Sequence, residues 1–241
     1  MTTGAGGARS SEKRFGGGPG ELVESLRERL AAHNRYLADR YWSRHNEEDL
    51  IEARTEYFDE LMREAWNALI PDKANSDLSL FAVGGYGRRE QFPHSDVDLL
   101  IVVRRANVWS DQIRSFLHCL YDLNLDVGHS VRSLADCRRE AQRDITVATS
   151  MYERRHLIGS EKLALKLDKV MDSARLWPPD KFFRAKRDEQ LHRHEQFDNV
   201  EYGLEPNLKA SPGGLRDLQT AMWVFQRQFN RLLLLTYASY T

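Results

Sequence analysis

The chain has 241 residues, enough to bury a sizeable core in one or two domains. Its formal charge of −1 supplies no broad basic field, so wholesale nucleic-acid binding is excluded, and its two cysteines, Cys119 and Cys137, lack the spacing of a disulfide scaffold or a structural zinc site. No apolar run is long enough to span a bilayer and no signal-peptide pattern is present, so a cytoplasmic protein with no membrane partner is expected. Residues 1–20 hold seven of the fifteen glycines and read as a disordered leader, because so little apolar surface cannot offset the entropy of ordering. Gly16-Gly17-Gly18 is no P-loop, since no Lys-Ser/Thr pair follows.

From Glu21 the spacing turns helical. Leu22, Leu26 and Leu30 recur at i+4, and Ala53, Tyr57, Leu61, Ala65 and Leu69 repeat the pattern in a second helix that Pro71 stops. A turn at Asn75-Ser76-Asp77 leads to a strand over 78–84, then a glycine turn, a strand over 97–103, a helix near 109–122 and a strand over 124–131. Beyond Ser133 the chain reads as helical. Asp144 is placed to cap one helix, and Trp177-Pro178-Pro179-Asp180 breaks before another that runs from Lys181 to Phe197. His192 and His194 stand two apart on that helix, point in different directions, and are read as a solvated face.

The most informative run is Ala82-Val83-Gly84-Gly85-Tyr86-Gly87-Arg88-Arg89-Glu90-Gln91-Phe92-Pro93-His94-Ser95-Asp96-Val97-Asp98. A glycine turn lets backbone N–H groups approach phosphate oxygens closely. Residues i and i+2 of a strand share a face, so Asp96 and Asp98 are placed to hold Mg²⁺ together. An isolated Asp-x-Asp is ordinarily a solvated edge. Here the pair opens the apolar run Val97–Val103, where unpaired carboxylates are costly without a compensating cation. A third acid, Asp126, stands in Leu123-Asn124-Leu125-Asp126-Val127-Gly128 on a later apolar segment.

This arrangement resembles the nucleotidyltransferase superfamily, whose pattern is hG[GS], then Dh[DE]h, then h[DE]h on a later strand. The resemblance implies an α+β fold with a polymerase-β-like core sheet. It implies two Mg²⁺ ions held by Asp96, Asp98 and Asp126, and a phosphate turn at Gly84, Gly85 and Gly87. Two readings stand open for Ser95: a hydroxyl on the phosphates, or a residue that orders the turn. Three further runs narrow the branch: Val127-Gly128-His129-Ser130-Val131-Arg132, Asp144-Ile145-Thr146-Val147-Ala148-Thr149-Ser150, and the stretch from Leu204 to Gln219 containing Lys209-Ala210-Ser211-Pro212-Gly213-Gly214-Leu215-Arg216. With the core they resemble the nucleotidyltransferase half of the bacterial uridylyltransferases that modify the nitrogen-regulatory PII protein.

That resemblance implies transfer of UMP from UTP to a tyrosine of PII. The alternatives are adenylylation by a related branch, or a nucleotide-binding regulatory fragment without turnover. Lys209 and Arg216 are read either as cations reaching the triphosphate or as ordinary residues of a turn and a helix start; His129 is read as a support for the metal strand or as a satisfied core histidine. Leu215, Leu218, Met222 and Phe225 form an apolar helical stripe. Arg89 stands where that family often has glycine, and Gln91 where it usually has leucine. None of the eight histidines precedes an Asp, so uridylyl-removing activity is not expected of this stretch; the small ligand-sensing domains that the resemblance implies are not read in it either, so glutamine control is not expected. The expected division is a leader over 1–20, helices plus nucleotidyltransferase core over 21–132, and a helical region over 133–241 whose apolar end, Leu232 to Thr241, reads as truncated.

Overall fold

The computed structural model describes residues 18–43, 46–105, 107–172, 176–197 and 207–229. The bulk of the glycine-rich leader and the Leu232–Thr241 end lie outside them. The chain divides into two units, Met1–Val131 with Arg155–Leu163, and Arg132–Arg154 with Ala164–Thr241.

The first unit opens with α1 (Pro19–Trp42), which starts inside the segment read as leader because Pro19 stands at its first turn, where a missing N–H costs nothing. Helix α2 (Glu47–Leu69) follows, then a 3₁₀ turn (Asp72–Ser76) and β1 (Leu78–Ala82). A single helical turn, α3 (Gly84–Gly87), leads by a loop to β2 (Val97–Val103), α4 (Ser110–Asp122) and β3 (Val127–Ser133). The fourth strand, β4 (Arg155–Gly159), comes from the stretch read as helical. Strand order is β3-β2-β1-β4, with β1 antiparallel to both β2 and β4. The Val97 amide donates to the Asp126 carbonyl (2.8 Å), so β2 and β3 begin side by side and run in the same sense.

The alternation of β2 decides what each face does. Val97, Leu99, Ile101 and Val103 join Leu22, Leu26, Phe58, Trp66, Phe116 and Leu120 in one core under the helices. Trp66 and Phe116 meet edge to face at 5.3 Å. Asp98 has the opposite parity and falls on the face turned away from that core. The third strand begins at 127 and not at 124 because α4 ends in a left-handed cap: Asn124 has φ +61, and its amide returns to the Tyr121 carbonyl (2.8 Å).

The exit from α3 explains the departure at Arg89. Arg89 has φ +68, its amide reaches the Tyr86 carbonyl (3.2 Å), and the Glu90 amide reaches the Gly85 carbonyl (3.0 Å), the paired bonds of a Schellman cap. Glycine occupies that position at little cost, whereas an L side chain there costs roughly 1–2 kcal/mol. The exposed contacts of Arg89 with Glu52 and Glu56, both 3.3 Å, recover part of this. Arg89→Gly is therefore expected to raise the melting temperature by about 2 °C. An equal fall on thermal denaturation would mean the ion pairs outweigh the backbone cost.

In the second unit, α5 (Leu134–Arg143) and α6 (Ile145–Tyr152) are joined at Asp144, whose carboxylate accepts from the Thr146 and Val147 amides (2.7 and 3.4 Å), the expected cap. Helices α7 (Glu161–Met171), α8 (Pro179–Glu195) and α9 (Leu215–Phe229) complete it. The apolar stripe of α9 is not its buried face. Leu215, Leu218, Met222 and Phe225 are exposed, while Thr220 and Trp223 are buried. Trp223 is held by its indole N–H to Glu153 (2.6 Å), with Lys186 4.4 Å from its ring centroid.

Candidate active site

The glycine turn and the starts of β2 and β3 come together on the sheet face that carries no part of the helical core. As the first residues of a helical turn, Gly84, Gly85 and Tyr86 have no intrahelical acceptor for their amides, and Val83 before them offers no side-chain cap. Gly87 differs, since its amide is already bonded to the Val83 carbonyl (3.0 Å). The Val83 amide in turn donates to the Asp98 carbonyl (3.0 Å), tying the turn to the strand that bears the acids.

Asp98 is half-buried, and its carboxylate is seated between two glycines. A Cβ at Gly84 would lie 2.9 Å from Oδ2, and one at Gly128 would lie 2.5 Å from Oδ1. Gly84 needs to be glycine on a second ground, its φ of +58. Asp96 and Asp126 are exposed at the very starts of β2 and β3, and among the described residues neither is in an ion pair. Among those residues no group of three His, Cys, Asp or Glu side chains closes on one point as a metal-holding set. Asp98 lies within β2, while Asp96 and Asp126 each stand one residue before a strand. Hard carboxylate oxygens with their charge uncompensated at two of the three positions suit a hard divalent cation such as Mg²⁺.

What holds the glycine turn in place was not read from the sequence. Glu52, Thr55, Glu56 and Asp59 recur at i, i+3, i+4 and i+7 and present one face of α2 to the turn. Thr55 Oγ1 lies 3.0 Å from the Arg89 carbonyl, which it shares as a target with the Ile51 carbonyl (2.8 Å). Asp59, buried, accepts from the Tyr86 hydroxyl (2.8 Å) and from both terminal nitrogens of Arg155, one of them at 2.9 Å. Arg155 also donates to the Tyr86 carbonyl (3.2 Å). Burial, together with the neighbouring Asp59, pushes the Tyr86 phenol well above its usual range, so it stays protonated and donates. The spacing of polar residues on α2 was available as a signal; Arg155, the partner of Asp59 on β4, was not.

The loop into Asp96 is held from inside. Gln91 is fully buried, and its side-chain amide donates to the Ser95 carbonyl (3.0 Å) and toward the Asp96 carbonyl (3.5 Å). Leucine could make neither bond. The Ser95 amide donates to the Phe92 carbonyl (3.0 Å), a backbone bond that leaves both readings of its hydroxyl open. His129 is on the opposite face of β3 from Gly128. It is exposed and hydrogen-bonded through Nδ1 to the Tyr121 hydroxyl (2.9 Å), so it is neither a core histidine nor a neighbour of the acids.

Lys209 and Arg216 belong to the second unit. The Arg216 amide donates to the Lys209 carbonyl (2.9 Å), and the Arg216 guanidinium lies 5.5 Å from the Trp223 ring centroid. In the same unit His194, read as solvated, is mostly buried and lies 3.0 Å from both Asp217 oxygens, while His192 is exposed as expected. Burial raises the Asp217 carboxyl, but hydrogen bonds from Arg193, the Gly213 amide, Gln190 and His194 outweigh it and hold the group at about 2. A folded-state value below the unfolded one gives stability that is present above about pH 4 and lost as pH falls toward 2. The stability gap between the native chain and Asp217→Asn, read from denaturant melts, is therefore expected to shrink across that window. A gap independent of pH would contradict the assignment.

The family model of the GlnD PII-uridylyltransferases matches residues 181–239, and that of the nucleotidyltransferase DUF294 matches residues 32–127. The bifunctional uridylyltransferase/uridylyl-removing enzyme of Azotobacter vinelandii is 48% identical over 185 residues, covering 76% of this chain and 20% of that protein. The enzyme of the same description from Stutzerimonas stutzeri is 41% identical over 212 residues, covering 87% of this chain and 23% of the relative. A solved toxin–antitoxin structure with AMP-PNP covers 60% of this chain and 98% of its own at 14% identity, with a TM-score of 0.33, too distant to argue from. No helix among the described residues is long and apolar enough to cross a membrane. The chain spans between a fifth and a quarter of the length of these curated relatives. With a nucleotidyltransferase match over residues 32–127, a PII-uridylyltransferase match over residues 181–239 and relatives 41–48% identical over most of its length, the chain belongs to the bifunctional uridylyltransferase/uridylyl-removing enzyme family.

Proposed function

We propose that this chain carries out Mg²⁺-dependent transfer of UMP from UTP to a tyrosine of the PII signalling protein, in the cytoplasm. The observation that supports this most is the seating of Asp98 between Gly84 and Gly128, beside the glycine turn and the strand starts that bear Asp96 and Asp126, in a chain 48% identical to a uridylyltransferase. In the reaction the tyrosine oxygen forms a bond to the α-phosphorus, the bond from that phosphorus to the bridging oxygen breaks, and pyrophosphate leaves with the electron pair. The phenolic proton passes to solvent. Asp96, Asp98 and Asp126 would hold Mg²⁺, which when bound supplies positive charge to the phosphoryl oxygens and lowers the pKa of the attacking hydroxyl.

The rest falls to the protein's own groups. The amides of Gly84, Gly85 and Tyr86 orient phosphate oxygens through hydrogen bonds that need no side chain. Asp59 and Arg155 keep those amides in register by holding Tyr86 at both its hydroxyl and its carbonyl. No His-Asp dipeptide occurs in this stretch, so the removing activity in the relatives' description is not assigned to these residues.

The test is incubation of the chain with purified PII and each α-labelled nucleoside triphosphate in turn, scored for label on PII and for pyrophosphate. Transfer from UTP alone is the expected result. Transfer from ATP alone would replace this reading with the related adenylyltransferase. Nucleotide binding without pyrophosphate release would leave a regulatory fragment.

A further inference from the structure

We propose that Gly128 is a positioning residue for Asp98: the missing side chain at 128 sets where the Asp98 carboxylate rests. The proposal builds on the reading that this carboxylate serves a divalent cation. Gly128 stands on β3, two residues beyond Asp126 and on the same face, with β2 alongside.

Three observations separate this glycine from the structural ones. Its φ lies outside the left-handed region, so the backbone alone would accept any L residue. The atoms its Cβ would meet within 4 Å are Oδ1 and Cγ of Asp98, at 2.5 and 3.6 Å, and no backbone atom. Gly159 and Gly214, by contrast, would drive a Cβ into backbone atoms at 2.5 and 2.9 Å, where the chain itself must move. At 128 the space a methyl group needs is taken by the end of one acidic side chain.

The consequence is specific. A methyl group at 128 can be relieved by rotating the Asp98 carboxylate, which leaves the sheet intact but moves Oδ1 by about an ångström toward ordinary van der Waals separation. The other oxygen, Oδ2, lies where a Cβ at Gly84 would come within 2.9 Å of it, so the carboxylate is neighboured by glycine at both oxygens. The fold survives and the ligand geometry does not. Displacing a group that orients a metal ligand typically costs 10–100-fold in affinity.

The experiment compares the native chain, Gly128→Ala, Asp98→Asn and the double variant, each melted without metal and titrated with Mn²⁺ by calorimetry. The expected results are a metal-free melting temperature for Gly128→Ala within about 2 °C of native and a loss of Mn²⁺ affinity of about tenfold or more. In the Asp98→Asn background Gly128→Ala should add little further loss, because both act through one carboxylate. Native affinity in Gly128→Ala, or a full additive loss in the double variant, would overturn the proposal while leaving the role of Asp98 standing. An unchanged affinity in Asp98→Asn would overturn that role, and the proposal with it. Should Gly128→Ala fold poorly, Asp98→Ala in the same chain must restore its melting temperature; failure to restore it makes Gly128 a backbone requirement and overturns the proposal.

Discussion

Asp98→Asn is expected to lower nucleotidyl transfer by about 10³-fold or more while leaving the melting temperature unchanged or slightly raised. Asparagine has the shape of aspartate, so the seat formed by Gly84 and Gly128 stays filled. The carbonyl that accepts from the Val83 amide is untouched, and β2 keeps its register against β1. What goes is one negative charge near two further carboxylates, Asp96 and Asp126, so mutual repulsion falls. Transfer of label from UTP to PII, measured beside a thermal melt, separates the two effects. Near-native turnover would remove Asp98 from the site, and a large fall in melting temperature would make it a structural residue instead.

The largest effect on stability is expected at Asp59. Removing its carboxylate with Asp59→Ala leaves the Arg155 guanidinium and the Tyr86 hydroxyl without their shared acceptor in a mostly buried setting. Breaking a buried ion pair from one side costs about 3–5 kcal/mol, which for a protein of this size is a melting-temperature drop of roughly 10 °C. Tyr86→Phe removes one donor and leaves the ion pair, so about 1 kcal/mol is expected there. The contrast matters because both changes touch the glycine turn. If Tyr86→Phe destabilised as much as Asp59→Ala, the hydroxyl and not the ion pair would be holding the turn. If neither did, α2 would not be anchoring it at all.

The sequence by itself determined whatever depends on neighbours along the chain. The i+4 leucines of α1, the Pro71 stop, the Asp144 cap and the alternation that turns Val97, Leu99 and Ile101 into the core follow from helical and strand periods within a few residues. The motif resemblance reached further, to the α+β core and the family, because the spacing of glycine turn, paired acids and later acid reflects one local piece of chemistry. The left-handed conformation of Arg89 was half legible, since a side chain where the motif resemblance implies glycine marks the turn without showing what offsets its cost.

Tertiary structure alone decided the rest, and for one reason: the partners are far apart in the chain. Asp59 and Arg155 are separated by 96 positions, and no local pattern distinguishes that pair from any exposed acid and base. β4 looked like part of a helical region because a strand of five residues joins the sheet through β1, not through its own periodicity. The apolar stripe of α9 marked the helix but not its buried face, which holds Trp223, where Glu153 and Lys186 satisfy its indole and its ring. His194 likewise left the solvent for Asp217, on another helix. Gly128 read as a plain strand residue until the neighbouring strand brought the Asp98 carboxylate into the space its side chain would fill.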